Sequence, residues 1–110
     1  MLLTKPFNTN DIVSFKLTSG EEIVARYSSE SLTDYIINKP ASLTQTPQGN
    51  IALVPTVFSA ELNSNVTLQK SVVAMTTLTN KKFSDEYIRA TTSIKPASSL
   101  EGLADVKGGA

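Results

Sequence analysis

Two neighbouring segments near the start of the chain alternate between apolar and polar residues on either side of a short turn. Apolar side chains fall at every second position in residues 12–18 and again in residues 23–27. Successive side chains of a strand point to opposite faces, so a period of two is typical of a half-buried strand. Ser19-Gly20 between the segments is a tight-turn signal. The pattern predicts a β-hairpin and favours a chain that continues as an antiparallel sheet.

Three further strands are predicted after the hairpin. Residues 34–43 form the third, in which Pro40 indicates an edge or a bulge because proline cannot donate a ladder hydrogen bond. Residues 51–58 form the fourth strand. Residues 66–78 form a long fifth strand, predicted to be kinked near Lys70-Ser71. The chain therefore has five short strands with hairpin-like connections.

The two ends of the chain differ from this central part. Residues 1–10 suit an extended lead-in, whereas residues 11–95 form one domain that closes with a short helix. Ser84 is the predicted N-cap of that helix, and Pro96 ends it. Residues 96–110 are rich in serine and glycine and poor in apolar side chains, so a disordered tail is expected.

The predicted fourth and fifth strands are apolar on both faces. Meanders of short strands close into small barrels because closure removes exposed edges, but a barrel has a single interior. A second buried face therefore implies a partner, and the simplest partner is another copy of the chain. The predicted fold is mainly β, a small five-stranded barrel with a short C-terminal helix.

The composition excludes several classes of function. The chain of 110 residues has no cysteine and no histidine, so disulfides, thiolate metal sites and the usual general base are absent. We therefore expect no enzyme, no cofactor and no metal site. Ten basic and ten acidic residues cancel, which disfavours nucleic-acid binding by bulk charge alone. No apolar run has the length of a signal peptide or a membrane span, so we expect a soluble, cytoplasmic protein without a membrane partner.

Six residues in and behind the hairpin have a characteristic spacing. A glycine is followed three positions later by an apolar residue and two positions beyond that by a small one, and Asp-x-x-apolar-Asn comes next. These positions are filled by Gly20, Ile23, Ala25, Asp34, Ile37 and Asn38. The spacing resembles the first motif of the Sm-like superfamily of Sm, LSm and Hfq proteins, over about residues 11–79. Within it, the chain is most similar to divergent Sm-like proteins of marine phages (cyanophages).

The resemblance implies a homo-oligomeric ring. In Sm-like rings the fourth strand of one subunit pairs with the fifth strand of the next, and these are the strands that are apolar on both faces here. A pentamer is favoured by the phage-type resemblance, with a hexamer or heptamer as alternatives. The interface residues expected on the two strands are Leu53, Val54, Val57, Phe58, Val72, Val73 and Met75.

The resemblance also implies a site for single-stranded RNA. Asn38 matches the residue that reads a base edge, and Asp34 matches the carboxylate that orients it. The base-stacking position falls on Ile36, which offers an apolar contact and no ring. The basic position falls on Lys70, and Ser71 stands where Hfq proteins have histidine. The Arg-Gly pair of the second Sm motif is absent.

Simpler interpretations of the same residues stay open. Asp34 and Asn38 are also suited to satisfying backbone groups at loop ends, and Lys70 is also suited to a solvated surface. The first hypothesis is a non-catalytic ring that binds single-stranded RNA, as RNA chaperones do, in an infected host cell if the chain is phage-encoded. The alternative is an oligomeric structural or interaction module, such as a phage assembly or host-takeover factor, that has lost RNA binding.

Overall fold

The fold is a single antiparallel sheet followed by one helix. The computed structural model describes residues 6–61 and 63–92. No helix in this described part is long and apolar enough to cross a membrane. The elements are β1 (Ile12–Leu17), β2 (Glu22–Glu30), β3 (Asp34–Gln45), β4 (Ile51–Pro55), β5 (Asn65–Gln69), β6 (Val73–Leu78) and α1 (Lys81–Thr92).

The six strands are ordered β4-β3-β2-β1-β6, and β5 pairs with β3. One half of β3, residues 34–38, pairs with β5, and the other half, residues 41–45, pairs with β4. Only the 3-10 turn Lys70–Val72 separates β5 at one edge from β6 at the other. The sheet must therefore curl strongly to bring its two edges together. No pairing between β5 and β6 closes it within the described residues.

The mainly β class and the C-terminal helix are confirmed, but the strand count is different. The predicted fifth strand is divided at the predicted kink, so six strands form instead of five. The predicted fourth strand ends at Pro55, and Val57 and Phe58 lie beyond it in the β4–β5 loop. The bulge that Pro40 predicted is present in β3, where the register with β2 shifts.

The start of α1 was predicted four residues too late. The helix begins at Lys81, and the side-chain oxygen of Asn80 accepts the backbone N–H of Phe83 at 3.0 Å. Asn80 is therefore the N-cap in place of Ser84, since an asparagine in that position satisfies a free N–H of the first turn. The predicted helix end at Pro96, the tail of residues 96–110 and the first five residues lie outside the described part of the chain.

The inner face of the curled sheet holds the main core. The alternation of β1 and β2 is confirmed, because the residues predicted to share a face are buried together. Aromatic rings pack against one another in this core, and the ring centroids of Phe15 and Tyr35 are 5.1 Å apart. Each large apolar side chain that is fully buried contributes roughly 1.5–3 kcal/mol. The buried set is Phe7, Val13, Phe15, Ile23, Ala25, Tyr27, Tyr35 and Ile37.

Helix α1 covers the outer face and builds a second, smaller core there. Tyr87 is fully buried against Val24 and Ala41. Its hydroxyl donates to the backbone carbonyls of Asn38 at 3.1 Å and Lys39 at 2.7 Å. Those carbonyls lie at the β3 bulge, where Lys39 has a φ of 52°. The tyrosine therefore fills the apolar face and satisfies polar atoms at the point where the ladder is irregular.

Tyr87→Phe should destabilise the fold by about 1–2 kcal/mol, because it removes the donor to the bulge while keeping the apolar ring. The matched control is Tyr35→Phe, since the Tyr35 hydroxyl makes no hydrogen bond within the described residues. Urea unfolding followed by circular dichroism measures both. Equal effects of the two substitutions would contradict a structural task for the Tyr87 hydroxyl.

Candidate functional site

The first predicted site lies on the half of β3 that pairs with β5. Side chains alternate along a strand, so Asp34, Ile36 and Asn38 share one face. Tyr35 and Ile37 point the other way and are buried in the inner core. The three predicted RNA-site residues of β3 are therefore on the outer face of the sheet, and all three are half-buried.

Asn38 is held by the β4–β5 loop. Its amide nitrogen donates to the backbone carbonyls of Asn63 at 3.1 Å and Ser64 at 3.0 Å. Asn63 has a positive φ of 69°, a conformation that asparagine tolerates better than most residues. The amide of Asn38 thus fastens the end of the loop to β3, and both of its N–H groups are committed to that task.

Asp34 closes the turn between β2 and β3. Its backbone N–H donates to the Ser31 hydroxyl at 3.1 Å, and its carbonyl accepts the Ser31 N–H at 2.8 Å. Its carboxylate accepts the Thr33 hydroxyl at 2.9 Å. Within the described residues, no hydrogen bond joins the side chains of Asp34 and Asn38. The carboxylate orients the turn in this structure, and the amide orients a loop.

Lys70 lies in a small polar cluster at one end of the inner core. Its ammonium is 2.6 Å from a carboxylate oxygen of Glu30 and 5.1 Å from the centroid of the Tyr35 ring. The other carboxylate oxygen of Glu30 accepts the Tyr27 hydroxyl at 2.8 Å. The side chains of Lys70 and Glu30 are only 29% and 15% exposed, so their attraction is screened less than that of a surface pair. We call Lys70, Glu30, Tyr27 and Tyr35 the Lys70 cluster.

The structure brings the backbone of Lys70 next to Asp34, where β3 begins. The backbone N–H of Lys70 donates to the Thr33 carbonyl at 2.8 Å. Its side chain, however, contacts Tyr35 on the inner side of the sheet, whereas Asn38 lies on the outer face. The residue predicted as the stacking position, Ile36, faces away from the lysine. Ser71 is exposed in the 3-10 turn that follows β5.

Sequence reasoning missed the partner of Lys70. Glu30 belongs to β2, which continues beyond the alternating segment that ends at Tyr27. The β2–β3 register shifts between Tyr27 and Ser29, so simple alternation does not predict the face on which Glu30 lies. A lysine and a glutamate forty positions apart carry no local signal of pairing.

Four of the predicted interface residues lie in edge strands, Leu53 and Val54 in β4 and Val73 and Met75 in β6, whereas Val57 and Phe58 lie in the β4–β5 loop and Val72 in the 3-10 turn. Within the described residues, β4 and β5 pair only with β3, and β6 pairs only with β1. Each of these strands therefore has one edge without a partner. Leu53, Val54 and Val73 are half-buried. The more exposed members are Phe58 (82%), Met75 (69%), Val57 (44%) and Val72 (37%).

Two tyrosines have strongly shifted acidity. Burial raises the pKa of Tyr27 to about 12, and its hydrogen bond to the Glu30 carboxylate adds to the shift. Burial likewise raises the pKa of Tyr87 to about 12. Both hydroxyls therefore remain protonated donors throughout the physiological range. Within the described residues, no group of three acidic side chains could hold a metal ion.

Comparison with known proteins adds no further assignment for the site. No protein-family model matches the sequence, and no curated protein matches it. The resemblance to Sm-like proteins therefore rests on the residues of this chain.

The stability of the fold should fall with rising pH above about 10. An unfolded tyrosine ionises near 10, whereas folded Tyr27 keeps its proton until about 12. The stabilisation is complete below pH 10 and is lost between these values, at about 1.4 kcal/mol per pH unit. Urea unfolding at several alkaline pH values measures the slope. Tyr27→Phe should make the slope shallower, and an unchanged slope would contradict the shift.

Proposed function

We propose that this chain is a non-catalytic Sm-like module that assembles into a homo-oligomeric ring and binds single-stranded RNA. In this proposal the curled sheet is a small SH3-like barrel. The order of its strands supports that assignment, because a three-residue turn joins strands at opposite edges. The β4–β5 loop would then be an insertion into one long strand, since both flanking strands pair with β3.

The charge distribution over the strands carries the ring proposal. Not one acidic or basic residue occurs in the three strands that have a free edge, β4, β5 and β6. The inner strands β1, β2 and β3 all contain charged residues. Proteins protect a permanently exposed edge with charges, because bare edges pair with other chains. Uncharged edge strands that also present Met75 to solvent suit strands that are paired in the assembled protein.

The position of the two edges favours a ring over a dimer. The β4–β5 edge and the β6 edge are different surfaces of one subunit, so pairing one with the other is a head-to-tail contact. Repeating such a contact gives a closed ring when the rotation between subunits divides a full turn. Five subunits are proposed, following the phage-type resemblance.

The Lys70 cluster supports RNA as the ligand. A cation and an aromatic face lie next to each other where Lys70 approaches Tyr35. Stacking on an aromatic ring and contact with a cation are the main ways in which proteins bind single-stranded bases. The Tyr35 ring is buried in the inner core, so of these two contacts the cluster offers RNA the cation of Lys70. In a ring of subunits, one lysine from each becomes a circle of positive charge although the subunit is neutral.

Two contacts favour a second function, an assembled interaction module that does not bind RNA. The Glu30 carboxylate already neutralises Lys70 at 2.6 Å. The amide of Asn38, the proposed base reader, already binds the β4–β5 loop. An RNA phosphate must compete with the first contact and a base edge with the second.

Met75→Asp should prevent assembly, because it places a charge on an edge that is proposed to be buried between subunits. Met75 is 69% exposed in the single chain, so the subunit itself should stay folded. Native mass spectrometry measures the assembly, and circular dichroism verifies the fold. The control is Leu32→Asp, at a position 93% exposed in the turn between β2 and β3. A monomeric parent chain, or unchanged assembly of Met75→Asp, would contradict the ring.

Lys70→Gln should weaken binding of oligo-U RNA. It should also make the slope of log binding constant against log salt concentration shallower by about 0.7 for each phosphate that the lysine no longer neutralises. Glu30→Gln should strengthen binding, because it removes the competing carboxylate. Fluorescence anisotropy at several salt concentrations measures both. Lys82→Gln on exposed α1 makes the same charge change as Lys70→Gln and serves as control. A parent ring that ignores RNA supports the second function instead.

A further inference from the structure

An apolar groove of about 460 Å³ runs between α1 and the β4–β5 loop. One wall is β4 with the residues that follow it, and the opposite wall is the last turns of the helix. Lys39 and Glu61 lie at its polar rim. Its apolar lining includes Leu53, Val54, Val57, Phe58, Val66 and Ala90. Nothing within the described residues fills this space.

The last described turn of α1 forms part of this groove. Ala90 and Thr91 both line it, and the described part of α1 ends at Thr92. Residues 93–110 follow in the sequence. The chain therefore continues from a residue that lies next to the groove.

The apolar residues of this C-terminal stretch have a regular spacing. Leu100, Leu103 and Val106 are three positions apart in an otherwise polar sequence. A spacing of three places side chains on one side of a helical or polyproline segment. Glu101 and Asp105 lie between them and provide carboxylates. The groove supplies apolar surface for the three apolar side chains, and because it carries one lysine and one glutamate, the apolar surface is the feature that matches the segment.

We propose that residues 100–106 dock in this groove of their own chain. Residues 93–99 form a linker of at most about 25 Å when extended, which is ample because the groove begins at Thr91. Tethering through so short a stretch of chain gives an effective concentration in the millimolar range, so a weak apolar contact suffices. The ammonium of Lys39 donates to the Thr91 carbonyl at 3.3 Å, next to the last described residue of α1.

Docking of this segment would compete with ring assembly, but it does not require a ring. Leu53, Val54, Val57 and Phe58 line the groove and also belong to the proposed subunit interface. The segment and a neighbouring subunit therefore compete for the same four side chains. Removing the segment's apolar residues should shift a ring equilibrium toward assembly, whereas docking itself is measurable in a monomer.

A spin label tests the docking directly. The chain has no cysteine, so Lys107→Cys provides a unique attachment point in the full-length protein. Paramagnetic broadening of methyl signals then reports proximity. Signals of Leu53 and Val54 should disappear when the label is active and should return when it is reduced.

The variants distinguish docking from random proximity. Leu100→Asp combined with Leu103→Asp should restore the groove signals, since the apolar anchors are gone. Ser98→Asp combined with Ser99→Asp adds the same charge beside the segment and should leave the broadening in place. Equal broadening in both double variants, or none in the parent chain, would overturn the proposal.

Mixing experiments identify which chain supplies the segment. Spin-labelled chains at natural isotope abundance are mixed with isotope-enriched chains that carry no spin label. Broadening across such a mixture would assign the groove to the segment of another copy and would overturn docking within one chain. The same measurements in the Met75→Asp background are expected to give the intrachain result, which separates this inference from the fate of the ring.

Discussion

The β3 bulge is the feature on which the rest of the structure depends. At Asn38 and Lys39 the strand leaves one partner, β5, and takes another, β4. A regular ladder could not make this change without leaving polar atoms unpaired, and buried unpaired carbonyls are costly. The Tyr87 hydroxyl satisfies two of them from outside the sheet. Helix α1 therefore stabilises the bulge at which β3 changes its partner from β5 to β4.

The same bulge determines where the candidate sites lie. Opposite it, the chain leaves the sheet as the β4–β5 loop, and Asn38 holds the loop's return to β5. The loop and α1 then face each other across the groove. On the other side of β3, Tyr35 closes the inner core beneath Lys70. The free edge of β4 and β5, the groove and the Lys70 cluster therefore all lie next to β3, on either side of its bulge.

Local patterns predicted the parts of the fold that depend on local physics. Alternation predicted the hairpin and the inner core, and the kink and the bulge followed from particular residues. The N-cap was missed because Asn80 and Ser84 are both good capping residues, and in the structure it is Asn80 whose side chain accepts the backbone N–H of Phe83. The face of Glu30 was missed because a bulge interrupts the alternation. Long-range partners have no signature in a single sequence.

The strands with an unpaired edge, β4, β5 and β6, carry no charged residue. Edges without charge would be an aggregation hazard in a subunit that stayed alone, because unpaired strands recruit other strands indiscriminately. The proposed pairing between subunits would remove that hazard, and the proposed docking of the C-terminal segment would limit it before pairing. RNA binding makes a separate demand, since Lys70 must leave Glu30. The uncharged edges therefore support the assembly part of the proposal more directly than any contact in the Lys70 cluster supports its RNA part.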